Sequence, residues 1–309
     1  MAKALVYKST GSWYTVKNQA GKTINARIKG VFKIDDITST NPIAVGDEVE
    51  IEPESEIENT AIITEILPRR NYVNRQSPRQ KYQHHIIAAN IDQSVLFATL
   101  KEPRTSQGFI DRFVVACEMY HVPAAIVFNK ADLYRKKEEQ KYEEWKQMYE
   151  SIGYKTFLIS IEKLLGIDEV KELLKNKISL LSGHSGVGKS SFINIVCPEL
   201  NLKTQDVSGW SGKGLHTTTF AEMFDLSFGG KIIDTPGMRE FGLVDLTKQE
   251  LSHYFPEMRE RINDCQFNNC LHINEPGCAI KKALESEEIN IDRYISYCNI
   301  LDSIEEKKY

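Results

Sequence analysis

The chain has no run approaching the roughly 18 unbroken apolar residues that a membrane-spanning helix needs. Its first residues, MAKALVYKSTGSWYTV, lack the apolar core of a secretory signal. A cytoplasmic protein with no membrane partner is the expectation. Six cysteines in 309 residues are too sparse for a disulfide scaffold. Three of them, Cys265, Cys270 and Cys278, fall within fourteen positions, which favours a metal site over bridges; the others read as buried thiols. Charge of one sign does not dominate: the net charge of −4 excludes a protein whose whole surface attracts phosphate. What is present, 41% apolar and 27% charged residues, excludes disorder as the dominant state and is enough for about two or three domains.

Charge is distributed unevenly. Residues 1–68 carry seven Lys/Arg against ten Asp/Glu, and residues 250–309 seven against twelve. Between Glu65 and Asp92 there are five Lys/Arg and no acid. Arginines with interleaved tyrosines in that island suit phosphate contacts and base stacking, so any RNA contact should be local. A solvated interdomain linker is the alternative reading.

Residues 3–7, 13–17, 23–29, 48–51 and 61–67 alternate as short strands, with turn signals at Asn18-Gln19-Ala20-Gly21 and Val45-Gly46-Asp47. Five strands in so short a segment suit a small closed barrel such as an OB-fold; an SH3-like barrel or a plain structural β-domain shares the pattern. From Ile91 the pattern changes to buried strands (94–98, 124–128, 156–159, 178–181) alternating with helical stretches (110–120, 135–151, 167–175 and from Lys189). That alternation builds a parallel sheet with helices on both faces. After Gly242 the chain reads as helical and irregular, ending in a helix-compatible stretch near 292–306.

Gly183-His184-Ser185-Gly186-Val187-Gly188-Lys189-Ser190 follows a predicted strand and opens a predicted helix, the context a phosphate-binding P-loop requires. Its glycines let backbone N–H groups turn inward at the positive end of a helix. Lys189 would neutralise the β- and γ-phosphates, Ser190 would ligate Mg²⁺, and Ser191 would reach the α-phosphate. Asn129-Lys130-Ala131-Asp132 directly follows an apolar strand. The Asn amide can pair with the purine N7/O6 edge and the Asp carboxylate with N1–H and the 2-amino group. Only guanine offers both donors, and Lys130 would cover the ring face. Asp234-Thr235-Pro236-Gly237 fits an Asp holding Mg²⁺ through water and a Gly N–H sensing the γ-phosphate. Asp-x-x-Gly alone carries no information, since about one is expected in any chain this long. Its place after a strand and downstream of the P-loop gives it meaning. Between them, the loop 212–219 suits a switch whose threonine, Thr217 or Thr218 among the candidates, closes on Mg²⁺.

The order of these pieces is unusual: 129–132, then Ser160, then the P-loop, the Thr-rich loop and Asp234 to Gly237. The common order places the P-loop first. All these loops lie along one edge of a parallel sheet, so cutting and rejoining the chain elsewhere leaves the pocket intact. The sequence resembles a circularly permuted GTPase. A last constellation, Cys265, Cys270, His272 and Cys278, supplies three thiolates and an imidazole, which saturate tetrahedral Zn²⁺ and make the site structural. It also explains how a short, poorly apolar segment folds.

Together with Ala89-Asn90-Ile91-Asp92-Gln93 and His216-Thr217-Thr218-Thr219, these motifs resemble the ribosome small-subunit-dependent GTPase A family of bacteria over essentially the whole chain. The resemblance implies a multidomain protein with three parts. An OB-fold barrel (1–68) comes first, then a permuted α/β P-loop GTPase with a basic N-terminal linker (69–245), then a helical zinc-binding module (246–309). It implies GTP, GDP, Mg²⁺ and one Zn²⁺ as ligands and the small (30S) ribosomal subunit and its 16S rRNA as partners. It further implies a monomer that acts late in subunit maturation and is released on hydrolysis. Ras-like GTPases place a water-orienting Gln where this chain has Met238, so basal hydrolysis should be slow. The resemblance points to His216 as the catalytic replacement, beside Lys189, Thr217 and Thr218. Gly186 stands where K⁺-binding GTPases carry Asn, which argues against a K⁺ requirement. Three other readings compete: an rRNA-binding module with incidental hydrolysis, a permuted GTPase serving another ribosomal particle, and an ATP-dependent small-molecule kinase. Asn129 and Asp132 disfavour the last.

Overall fold

The computed structural model describes residues 2–28, 42–55, 57–76, 84–202, 221–235, 243 and 246–304. No helix among them is long and apolar enough to cross a membrane. The alternating N-terminal segments form β1 (Ala2–Ser9), β2 (Tyr14–Asn18), β3 (Thr23–Ile28), β4 (Glu48–Ser55) and β5 (Thr60–Ile66). They close in the order β1-β2-β3-β5-β4 and back to β1, with β3 and β5 parallel and the other pairs antiparallel. This is the Greek-key circuit of a five-stranded OB-fold barrel. Alternation sends Ala4, Val6, Tyr14, Val16, Val49, Ile51, Ala61 and Ile63 inward to one small core.

Part of the basic island is structured rather than a free linker. Strands β6 (Tyr72–Gln76) and β7 (His84–Ala89) pair as a hairpin. Val73 and Ala88 carry it into the core of the central unit. Two of the island's arginines bond within the protein, Arg69 from an inward position and Arg70 from the surface. Arg69 grips the fully buried Asp47 through Nε–Oδ1 and Nη2–Oδ2 contacts of 2.6 Å each. Arg70 donates to the Asn90 carbonyl and to Asp92, both at 2.6 Å. These bonds tie barrel, hairpin and sheet together; the Arg69 guanidinium is spent inside the protein, whereas Arg70 stays exposed at the surface.

The central unit contains β8 (Gln93–Ala98), α1 (Gln107–Met119), β9 (Ala124–Phe128), α2 (Lys136–Ser151), β10 (Lys155–Leu158) and α3 (Ile167–Leu174). It continues with β11 (Ile178–Ser182), α4 (Lys189–Val196), β12 (Glu222–Asp225) and β13 (Lys231–Asp234). The sheet runs β10-β9-β8-β11-β13-β12, parallel except for β12. Successive strand residues face opposite layers: Leu96, Ala98, Ile126 and Phe128 pack with α1 and α2, whereas Val95, Phe97, Ala125 and Val127 pack with α3 and α4. Helix α1 starts earlier than its apolar pattern suggests because Ser106 caps it, accepting from the Phe109 N–H.

The barrel joins this sheet where β1 pairs with β12 at Lys8 and Glu222. Tyr7 donates to Asp225 at 2.6 Å, and Lys8 pairs with Glu222 at 2.8 Å. After residue 246 come α5 (Pro256–Arg259), α6 (Ala279–Glu285) and α7 (Ile291–Ser303), gathered around Leu251, Phe255, Met258, Ile280, Tyr297 and Ile300. Val115 of α1 belongs to the same core.

Candidate functional site

The loops that carry the sequence motifs follow the carboxyl ends of β9, β10, β11 and β13 on one edge of the sheet. Between β11 and α4 the chain needs three left-handed turns, at Gly183, Gly186 and Gly188, with φ of 138°, 84° and 100°. A Cβ at Gly183 would lie 2.3 Å from the Phe97 carbonyl oxygen, and one at Gly188 2.2 Å from Asn129 Nδ2. Within this loop Val187 is buried and Ser185 exposed. The His184 ring lies on Phe109, with centroids 3.7 Å apart. Lys189, Ser190 and Ser191 form the first turn of α4.

Lys189 Nζ donates to the Gly183 carbonyl at 2.7 Å. Burial pushes its ammonium below the usual lysine value, and the Asp234 charge partly restores it. Burial likewise pushes the Asp234 carboxyl above the usual range, against the pull of Lys189. Two opposite charges held in a desolvated loop cluster mark a functional site rather than a structural pair.

Asn129 at the end of β9 is 1% exposed, and its Nδ2 donates to the Val187 carbonyl at 2.8 Å. This bond brings the Asn-Lys-Ala-Asp turn against the glycine-rich loop across 58 positions of sequence. Lys130 takes φ of 64° and its ammonium donates to the Glu102 carbonyl. The Ala131 N–H donates to Ile159 O at 3.1 Å. Asp132 accepts from the hydroxyl of buried Ser160, which also accepts the Lys163 N–H. Among the described residues, three buried oxygens on this edge have no partner: Asn129 Oδ1, Ser182 Oγ and Thr235 Oγ1. Buried polar atoms are nearly always satisfied, so this set fits a polar ligand. Ser190 and Asp234 provide the hard oxygen donors that Mg²⁺ takes beside phosphates. His216, Thr217, Thr218 and Gly237 lie outside the described residues.

The second cluster lies in the C-terminal segment. One ligand atom from each of Cys265, Cys270, His272 and Cys278 falls within 4.8 Å of the others. His272 Nδ1 is 3.6 Å from Cys265 Sγ and 3.5 Å from Cys278 Sγ. A tetrahedral Zn²⁺ places its sulfur and nitrogen ligands roughly 3.6 Å apart, so the set fits that ion. Burial lowers the His272 pKa, favouring the neutral imidazole a metal needs. The surrounding groups fix the loop: Tyr294 donates to His272 O at 2.6 Å and Tyr297 to Leu271 O at 2.9 Å. Glu275 accepts the N–H groups of Leu271, Ile273 and Asn274.

One buried cluster went unforeseen. Arg293 of α7, 1% exposed, donates to Asp111 of α1 at 2.8 Å and to Glu257 of α5 at 2.7 Å. Tyr149 of α2 also donates to Asp111, at 2.8 Å. In sequence these are isolated charges on amphipathic helices, and no local pattern distinguishes them from solvated ones.

Comparison with known proteins agrees with this geometry. The RsgA GTPase family matches residues 66–244, and the RsgA N-terminal domain matches residues 3–63. The chain is 51% identical to the small ribosomal subunit biogenesis GTPase RsgA of Cytophaga hutchinsonii, covering 97% of each chain. It is 49% identical to the protein of the same name from Flavobacterium psychrophilum, over 98% of this chain and 93% of that one. Among solved structures, YjeQ from Thermotoga maritima superposes with a TM-score of 0.79 at 33% identity, covering 98% of both chains. YloQ, described as a circularly permuted GTPase, gives 0.76 at 28% identity, over 100% of this chain and 96% of that one. The strand order, the two motif loops meeting at Asn129 and these similarities lead to one conclusion: the chain belongs to the RsgA GTPase family and is a circularly permuted GTP hydrolase.

Proposed function

We propose that the protein is a cytoplasmic, monomeric factor that binds the small ribosomal subunit in its GTP form and leaves after hydrolysis. The bond from Asn129 to Val187 carries the reading, because it joins guanine-type recognition to a phosphate loop in one pocket. Asn129 and Asp132 select guanine, Lys130 covers the base, and Ala131 and Ser160 hold the turn. The loop from Gly183 through His184, Ser185, Gly186, Val187 and Gly188 wraps the phosphates with Lys189 and Ser191. Ser190 and Asp234 hold Mg²⁺, whose charge offsets that on the phosphates, and Gly237 with Thr217 or Thr218 reads the γ-phosphate. His216 orients the attacking water in place of the missing Gln. Cys265, Cys270, His272 and Cys278 hold one structural Zn²⁺. Unit boundaries near residues 68 and 245 separate barrel, GTPase and zinc module.

The names of the relatives support the partner, and the OB-fold supports contact with 16S rRNA. Spending Arg69 internally leaves that contact to the barrel, the exposed Arg70 and the remaining cations of the island. The test is co-sedimentation with isolated small subunits in a non-hydrolysable GTP analogue and in GDP. Tighter binding with the analogue supports release on hydrolysis, and equal affinities overturn it. A His216→Ala protein that retains full cellular role would instead favour a pure binding module.

A further inference from the structure

Helix α1 is docked on two sides by different parts of the site. Phe109, in its first turn, is 9% exposed and stacks on His184 of the glycine-rich loop. Asp111, two residues on, lies about 200° around the helix and is fully buried against Arg293 and Tyr149. Val115 and Met119 continue that second face into the core of the C-terminal module, and Glu118 pairs with Arg259 at 2.9 Å. Phe113 and Val114 of the same helix are packed on the sheet. The helix therefore cannot tilt to follow one neighbour without straining the other, since a close-packed core transmits displacement rather than absorbing it.

We propose that Phe109 is a positioning residue for the phosphate loop, and that α1 links nucleotide occupancy of that loop to the docking of the C-terminal module through Asp111 and Arg293. The inference rests on the nucleotide reading of the glycine-rich loop. Linkage makes the effect reciprocal: whatever nucleotide does to the module, loosening the module does to nucleotide affinity, by the same factor. The Asp111–Arg293–Glu257 set suits this role because it has few intermediate states. Breaking it strands buried charge, so the module is either docked or displaced.

The experiment is hydrogen exchange on the full chain with and without GDP, combined with GDP titration, for the parent, Phe109→Leu, Phe109→Tyr and Arg293→Lys proteins. GDP is expected to slow exchange in the glycine-rich loop and also in α7. Phe109→Leu should bind GDP more weakly, protect the loop only at saturating GDP and lose the protection in α7; Phe109→Tyr should restore both, and Arg293→Lys should weaken GDP binding about fivefold or more. Arg293→Lys keeps the charge and Phe109→Leu keeps an apolar side chain, so both variants remain folded by circular dichroism on this account. Protection of the loop with no change in α7 in the parent protein overturns the coupling alone. Failure of GDP to bind at all overturns the nucleotide reading and the coupling with it.

Discussion

At Asp234 the fold holds a carboxyl that burial pushes above its ordinary range, with Lys189 only partly offsetting the cost. The sign follows from linkage. The unfolded chain gives up this proton at the ordinary carboxylate value and the folded chain only at a higher one. Stability therefore falls as pH rises between the two values and stays reduced at neutral pH. Asp234→Asn should accordingly remove this fall in stability between the ordinary carboxylate pKa and neutral pH while abolishing Mg²⁺-dependent strengthening of GTP binding. Calorimetry from about pH 4 to 7 and nucleotide titration on the same preparation check it; a variant whose melting temperature follows pH as the parent's does contradicts it.

Among elements, β12 has the opposite charge balance. Burial alone would raise the Asp225 carboxyl, but the hydrogen bonds from Lys17 and Tyr7 outweigh it and hold it below the usual range. Its contribution is complete above the ordinary carboxylate pKa and is lost as pH falls through the lower, folded value. Asp225→Asn should destabilise the protein at pH 7, and the difference from the parent should shrink as pH falls below about 4. Urea unfolding across pH 3 to 7 measures it, and a difference independent of pH contradicts it. This junction was not legible in the sequence. Tyr7, Lys8 and Lys17 read only as members of a barrel, and nothing local places them against Glu222 and Asp225 some two hundred residues away. By contrast β8 and β9 were legible because strands buried on both faces carry near-continuous apolar runs, 95–98 and 124–128, and Gly183 to Lys189 because each left-handed turn demands glycine. The hairpin β6–β7 was hidden by its composition: Arg75, Arg79 and Lys81, within a wholly basic island, outweigh the signal of Val73, Ile86, Ile87 and Ala88. The zinc set was legible as spacing, whereas the Arg293 cluster depends on three helices meeting.

Across the whole molecule, two units are fastened to the central one by different means. Strand pairing with ion pairs attaches the barrel, a buried Arg–Asp–Glu set attaches the C-terminal module, and that module closes on the Cys₃His cluster. On the proposed reading of the Cys₃His cluster as a structural Zn²⁺ site, metal binding contributes to the stability of residues 246–304. Chelation under reducing conditions should release one Zn²⁺ per chain and expose this segment to proteolysis before the barrel or sheet unfolds. Cys270→Ser should behave as the chelated protein does. Intact resistance to protease after complete metal removal contradicts a structural site.

On the proposed function, the permuted pocket is a slow GTPase awaiting a ribosomal partner, with Met238 in place of the water-orienting Gln. The most direct test is GTP turnover by the purified protein alone, with isolated small subunits and with isolated large subunits, using Lys189→Ala as the control. The account predicts slow turnover alone, strong stimulation by the small subunit only, and none in the Lys189→Ala protein. Equal rates in all three conditions, or stimulation by the large subunit instead, would contradict it.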